Sequence, residues 1–210
     1  MTPSIQLRFQ FERWASALPG PGFLHPRLLP LAGAEHTTLA PRSSEGKPPL
    51  KIREIAPAEY VAAGDLCVRA YEVGGHLEPG NEYATTIRDV ANRAEQALVL
   101  VAEVSGQLVG TVTICPPGTV YAEISVPGEL EFRFLAVEPT NWGQGIGQRL
   151  VAECELRGQG LATQLVICVI EINADGHRFY ERLGFDRLPE RDWSPRPGIN
   201  LQVYRKMLSG

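Results

Sequence analysis

Three glycines, Gly143, Gly145 and Gly147, sit between an apolar run and a helical pattern in the stretch "EFRFLAVEPTNWGQGIGQRLV", residues 131–151. Glycine gives up more backbone freedom on folding than any other residue, so this density implies a turn that needs bare backbone. A strand ending at Val137, a glycine turn and a helix start together make an anion cradle: unpaired amides point outward and the helix dipole is positive there. A ligand-free tight connection is the plain alternative. The nucleotide-triphosphate loop would need Lys and then Ser or Thr after its last glycine, where Gln148 and Arg149 stand. The dinucleotide fingerprint would need glycine at position 148. Downstream, Asn173 and Tyr180 are two helical turns apart and share a face with Gly176 and His177, so an amide and a phenol can address one groove. The alternative is a tyrosine that only packs. Glu131 is a third candidate. Even spacing along its strand predicts a common sheet face with Arg133, Leu135 and Val137, and Glu123, on the strand read before it, is the runner-up.

These residues must be positioned by an α/β domain. "LKIREI" alternates as a strand, and "PAEYVAAGDLCVRAYE" reads as a helix with proline in its first turn. A second helix is expected from about Asn81 to Gln96, with Tyr83, Ile87, Val90 and Ala94 on one face. "ALVLVAEV" and "QLVGTVTIC" flank Ser105-Gly106 as a hairpin. "TVYAEI" and "ELEFRFLAV" are read as two further strands around Pro127-Gly128. The glycine loop opens a helix carrying Ile146, Leu150 and Cys154. Then come the apolar strand "TQLVICVIE", the helix "NADGHRFYERL" closed by Gly184, and a last strand "INLQVYRKM". Residues 1–49 hold eight of the 17 prolines and end in "PRSSEGKPP", which marks them as an extension and linker ahead of a domain over 50–210. Phe9, Phe11 and Trp14 are its candidate ordered part.

Composition narrows the function classes. Hydrophobic residues are 44% and charged ones 21%, as in ordinary globular chains, and the net charge of −4 disfavours a nucleic-acid binder. No apolar run approaches a membrane span, and no secretory signal is evident, so a cytoplasmic protein is expected. Cys67, Cys115, Cys154 and Cys168 show no C-x-x-C, and the histidines show no H-x-x-x-H, so no metal is expected.

"LAVEPTNWGQGIGQRLV" resembles the acyl-CoA motif of the GCN5-related N-acetyltransferases, the GNAT superfamily, whose core is Q/R-x-x-G-x-G/A. Gly145 and Gly147 take the two required positions, Gly143 is the common extra one, and Trp142 replaces the usual Gln or Arg. "NADGHRFYERLGF", residues 173–185, resembles the family's N-x-x-x-x-x-F/L-Y-x-x-x-G-F segment. The resemblance spans about residues 50–207. It implies a mixed, mostly antiparallel sheet flanked by helices behind the Pro-rich extension, and an N-acetyltransferase using acetyl-CoA without a metal. It implies further that residues 142–148 (Trp142, Gly143, Gln144, Gly145, Ile146, Gly147, Gln148) hold the pyrophosphate. Leu135, Ala136 and Val137 would pair with the pantetheine arm, Asn173 would bond that arm, and Tyr180 would protonate the leaving thiolate. Glu131 falls where histone-acetylating members carry a general base. The acceptor, an amine-bearing small molecule or peptide, would meet "VGGHLEPG" with Glu72, Glu78 and Glu82, and "PERDWSPRPG" with Arg187, Arg191 and Arg196. A homodimer fits this reading, as does a non-catalytic acyl-CoA sensor or interaction domain.

Overall fold

The computed structural model describes residues 48–209. The expectations for the first 47 residues, Phe9, Phe11 and Trp14 included, lie outside the described residues. The strands are β1 (Lys51–Glu54), β2 (Leu98–Val104), β3 (Gln107–Cys115), β4 (Glu129–Val137), β5 (Gln164–Ile170), β6 (Asp186–Arg187), β7 (Trp193–Arg196) and β8 (Ile199–Met207). The helices are α1 (Tyr60–Val73), α2 (Tyr83–Arg88), α3 (Val90–Gln96), α4 (Ile146–Gly158) and α5 (Ala174–Arg182). The sheet runs β1-β2-β3-β4-β5-β8-β6, with β7 on the edge of β8; every pairing is antiparallel except β4 with β5.

Alternation builds the two faces. Leu98, Leu100 and Ala102 of β2 join the core beneath α4 and α5, while Val99 and Val101 face α1 and α3. The β2–β3 hairpin turns on Ser105 and Gly106, both at positive φ (50° and 77°), the twist a two-residue hairpin prefers. Ile146, Leu150 and Cys154 of α4 are buried as their spacing predicts.

Three expectations need correction. The second helix is two, because Asp89 leaves helical geometry at ψ 63° and its carboxylate caps α3 by accepting from the Asn92 amide at 3.3 Å. "TVYAEI" is a loop rather than a strand: β3 already pairs directly with β4, and the Ile124 and Ser125 amides donate to the Glu131 carboxylate (2.9 and 3.1 Å) instead of to a ladder. The even spacing of β4 fails at Phe134, which sits at φ 54° where the β3–β4 register slips between Thr111 and Thr113. One extra residue there shifts the side-chain alternation. Leu130 and Phe132 face α4 and α5, Phe134 and Ala136 face α1, and Leu135 and Val137 return to the α4 side. Glu131 therefore does not share a face with Leu135 and Val137.

Candidate active site

The bulge stands beside an opening in the sheet. β4 and β5 pair only over Glu129–Glu131 with Gln164–Val166, although β4 continues to Val137 and β5 to Ile170. Beyond Val166, β5 pairs only with β8, so the two parallel strands part and leave a cleft in mid-sheet. Past the bulge, the Glu138 amide bonds the Val109 carbonyl on the β3 side. Antiparallel alternation then turns the main-chain groups of Val137 the other way, toward the cleft, where the carbonyl accepts from the Trp142 indole and the amide is left for a ligand. An extended, amide-bearing chain could bond there as an added strand would.

The glycine loop follows the end of β4 on the side where the strands part. Gly145 is the N-cap of α4 at φ 77°, and no side chain caps the helix. The first intrahelical bond is Arg149 N–H to the Gly145 carbonyl; among the described residues, no amide from Gly143 to Gln148 has an intramolecular acceptor. Six consecutive donors at the start of a 13-residue helix are a strong anion site. Gly143 and Gly145 sit at φ 73° and 77°, which strains any residue with a Cβ, and a Cβ at either would meet no atom within 4 Å, so the space over the loop is open. Gly147 differs: its Cβ would touch Phe179 at 3.4 Å, and its smallness serves helix packing. Trp142 differs as well. Its amide bonds the Pro139 carbonyl (3.2 Å) and so does not join the donor row, while its half-exposed indole donates to the Val137 carbonyl at 2.6 Å.

On the α5 side, Asn173 is the N-cap, its Oδ1 accepting from the Gly176 amide at 2.7 Å. Only its Nδ2 is left for a ligand. Tyr180 is buried among Phe132, Phe179 and Phe185, with ring centroids 5.0–6.1 Å away. Burial raises its pKa far above the ordinary phenol range, so it stays a proton donor at neutral pH. His177 is not merely solvated: Nδ1 lies 2.8 Å from the Tyr204 hydroxyl and Nε2 3.1 Å from the Glu171 carbonyl.

On the α1 side, Glu131 is fully buried; Oε2 takes the two loop amides and Oε1 has no hydrogen-bond partner among the described residues. Burial raises its pKa, against the pull of those amides and of Arg133, whose Nε is 3.9 Å away. Arg133 pairs more closely with Glu123 (2.8 Å) and with the Tyr83 hydroxyl (3.1 Å). Glu131 and Tyr180 thus belong to opposite faces of the sheet, with the cleft between them.

The acetyltransferase (GNAT) domain model matches residues 95–187, a span that takes in the cleft, the loop and Tyr180. By that match this region is similar to a GNAT domain. Solved structures agree in fold: N-acetyltransferase PaiA from Thermoplasma acidophilum, solved with coenzyme A (17% identity, TM-score 0.60, 76% of this chain and 99% of that one); a GNAT-family acetyltransferase from Staphylococcus aureus (11%, 0.61, 77% and 100%); and the ribosomal-protein-S18-alanine N-acetyltransferase from Escherichia coli (19%, 0.57, 77% and 95%). Among curated proteins the chain has no match.

The two loops expected to meet an acceptor depart from the charge pattern of the sequence. Arg187 forks onto Asp192 (2.8 and 2.7 Å) and Arg191 onto Glu129 (2.8 and 3.0 Å), so neither is free for a substrate carboxylate. Among the described residues Glu72, Glu78 and Glu82 form no ion pair. Several residues of this region escape sequence reading. Tyr71 is held well above the phenol range by burial and then by neighbouring Cys67, Tyr83 and Tyr180, which places tyrosines of α1, α2 and α5 within electrostatic reach of one another. Cys168 accepts from the Trp193 indole at 3.3 Å. His76 keeps a buried, unpartnered Nδ1 and a pKa lowered by burial. No spacing rule links these residues, because they converge from separate elements.

Proposed function

We propose that this protein moves an acetyl group from acetyl-CoA to a primary amine of a small molecule or peptide, by direct attack of the amine on the thioester. The observation that carries this reading is the row of six unpaired amides from Gly143 to Gln148, beside a cleft where β4 offers main-chain groups. The row supports a pyrophosphate site. The cleft edge at Leu135–Val137 supports a pantetheine site, and Asn173, through the Nδ2 that its cap bond leaves over, would bond the same arm. Tyr180, kept protonated by its apolar cage, would give its proton to the departing thiolate. Glu131, with a raised pKa and a free Oε1, would accept the amine proton. Glu72, Glu78 and Glu82, which form no ion pair among the described residues, favour a cationic acceptor, and the locked Arg187 and Arg191 weigh against one recognised by its carboxylate.

Coenzyme A binding tests the cofactor reading directly. At 100 times its dissociation constant, coenzyme A should add about 2.7 kcal/mol of stability, read as a thermal shift. Gly145→Val puts a branched side chain into the open space at a φ of 77°. The expected outcome is loss of that shift in a variant whose circular dichroism is unchanged. An undiminished shift would remove the loop from the site. An acetyl-CoA assay against a mixed library of amines and peptides, read by mass, then names the acceptor.

A further inference from the structure

Arg93 of α3 is fully buried, an unusual place for a guanidinium, and among the described residues no carboxylate pairs with it. Its Nη1 donates to the carbonyls of Ile87 (2.9 Å) and Thr86 (3.3 Å) at the end of α2. Its plane lies over the Phe134 ring, 4.2 Å from the centroid. A second guanidinium, Arg133, lies 4.9 Å from the centroid of the same ring and bonds the Tyr83 hydroxyl at the start of α2. Helix α2 has six residues, too few to hold its place alone. Both of its ends are therefore tied to one aromatic ring, and that ring belongs to the bulge residue of β4.

Burying a charge is costly unless something compensates. Here the helix-end carbonyls, both bonded by Nη1, and the aromatic face do so in part, Nε and Nη2 having no hydrogen-bond partner among the described residues, and the aromatic face suits the planar, weakly hydrated guanidinium better than a lysine ammonium. An apolar side chain could fill the volume of Arg93 but could not bond α2. We propose that Arg93 is a positioning residue that locks α2 and Tyr83 to the bulge of β4, so that occupation of the cleft by cofactor is transmitted to the acceptor side. The proposal rests on the cofactor reading above. Leu135, next to Phe134, opens the stretch of β4 assigned to the pantetheine arm.

The test uses the full chain and coenzyme A itself, with calorimetry for affinity and hydrogen exchange for α2. In the wild type, coenzyme A should slow exchange across 83–88 by about threefold or more. In Arg93→Met, exchange there should be faster, and the cofactor-dependent slowing should vanish while affinity stays within about threefold. Arg93→Lys, which keeps the charge and loses the planar face over Phe134, should restore the fold but not the slowing, and it carries the test if the Met variant does not fold. Slowing that persists in Arg93→Lys, or its absence from a wild type that binds coenzyme A, overturns the coupling. A wild type that does not bind coenzyme A overturns the cofactor reading and the coupling with it.

Discussion

At the scale of single residues, two side chains carry the proposed chemistry, and each has a substitution that isolates it. Tyr180→Phe keeps the ring among Phe132, Phe179 and Phe185 and removes only the hydroxyl. A thiolate is a fair leaving group, so turnover should fall by about ten- to a hundredfold while acetyl-CoA affinity hardly changes. Full turnover, where chemistry limits the rate, would leave Tyr180 as a packing residue. Glu131 offers two readouts of opposite sign. Burial holds its pKa above the ordinary glutamate range, so as a base it becomes competent only as pH climbs through that raised value. Glu131→Gln should lose at least about tenfold in turnover and the acid limb of the pH profile with it. The raised pKa means that the folded state binds the proton more tightly than the unfolded chain does. Its contribution to stability is present below the ordinary glutamate range and is lost as pH rises through the raised value. The same variant should therefore flatten that part of a melting-temperature profile, whether or not Glu131 is the base.

At the scale of elements, the loop from Pro116 to Gly128 is what makes Glu131 unusual, and Arg191 holds that loop down. Arg191 forks onto Glu129 and also donates to the Ile124 carbonyl. Burial alone would raise the Glu129 pKa, but bonds from Arg191, the Val126 amide and Gln164 outweigh it and hold it below the glutamate range. Arg191→Met leaves a nearly buried carboxylate without its cation, which should cost about 3 kcal/mol. By unseating Ile124 and Ser125 it should also shift the acid limb assigned to Glu131. A loss well under 1 kcal/mol, with an unmoved pH profile, would show that the loop holds itself. Periodicity reads the strands and helices that surround this loop, because each buries one regular face. It misses the loop because Tyr121 and Val120 look like strand residues, while the backbone there is satisfied by the carboxylate of Glu131 and the guanidinium of Arg133. The short β6 and β7 lie hidden in a stretch that reads as a loop by its prolines. The bulge has no local signature at all. Phe134 at φ 54° is an outcome of how β3, β4 and Arg93 pack. Of the site, the glycine cradle and Tyr180 are legible because they are local in sequence, whereas the Arg93–Phe134–Arg133 stack joins positions 40 residues apart.

At the scale of the molecule, the sheet is continuous from β1 to β6, and its two faces carry separate cores joined across the cleft. The solved structures cited above are covered over 95–100% of their own length by about three quarters of this chain. We propose that the GNAT-like domain begins near residue 50. Leu50 and Ile52 already pack against the main core, and β1 pairs with β2 from Lys51 onward, which supports that boundary. Removing residues 1–47 should leave a soluble domain with coenzyme A affinity within about threefold of the full chain, because no cradle or cleft residue precedes Leu135. Cutting four residues further, to Lys51, removes Leu50 from the core edge and the start of the β1 ladder. That cut should lower the melting temperature by several degrees, about 1–2 kcal/mol for one partly buried leucine. Parallel measurement of the two truncations separates the roles. If loss of 1–47 by itself abolishes folding or coenzyme A binding, the proline-rich segment belongs to the domain, and the boundary at 49/50 is wrong.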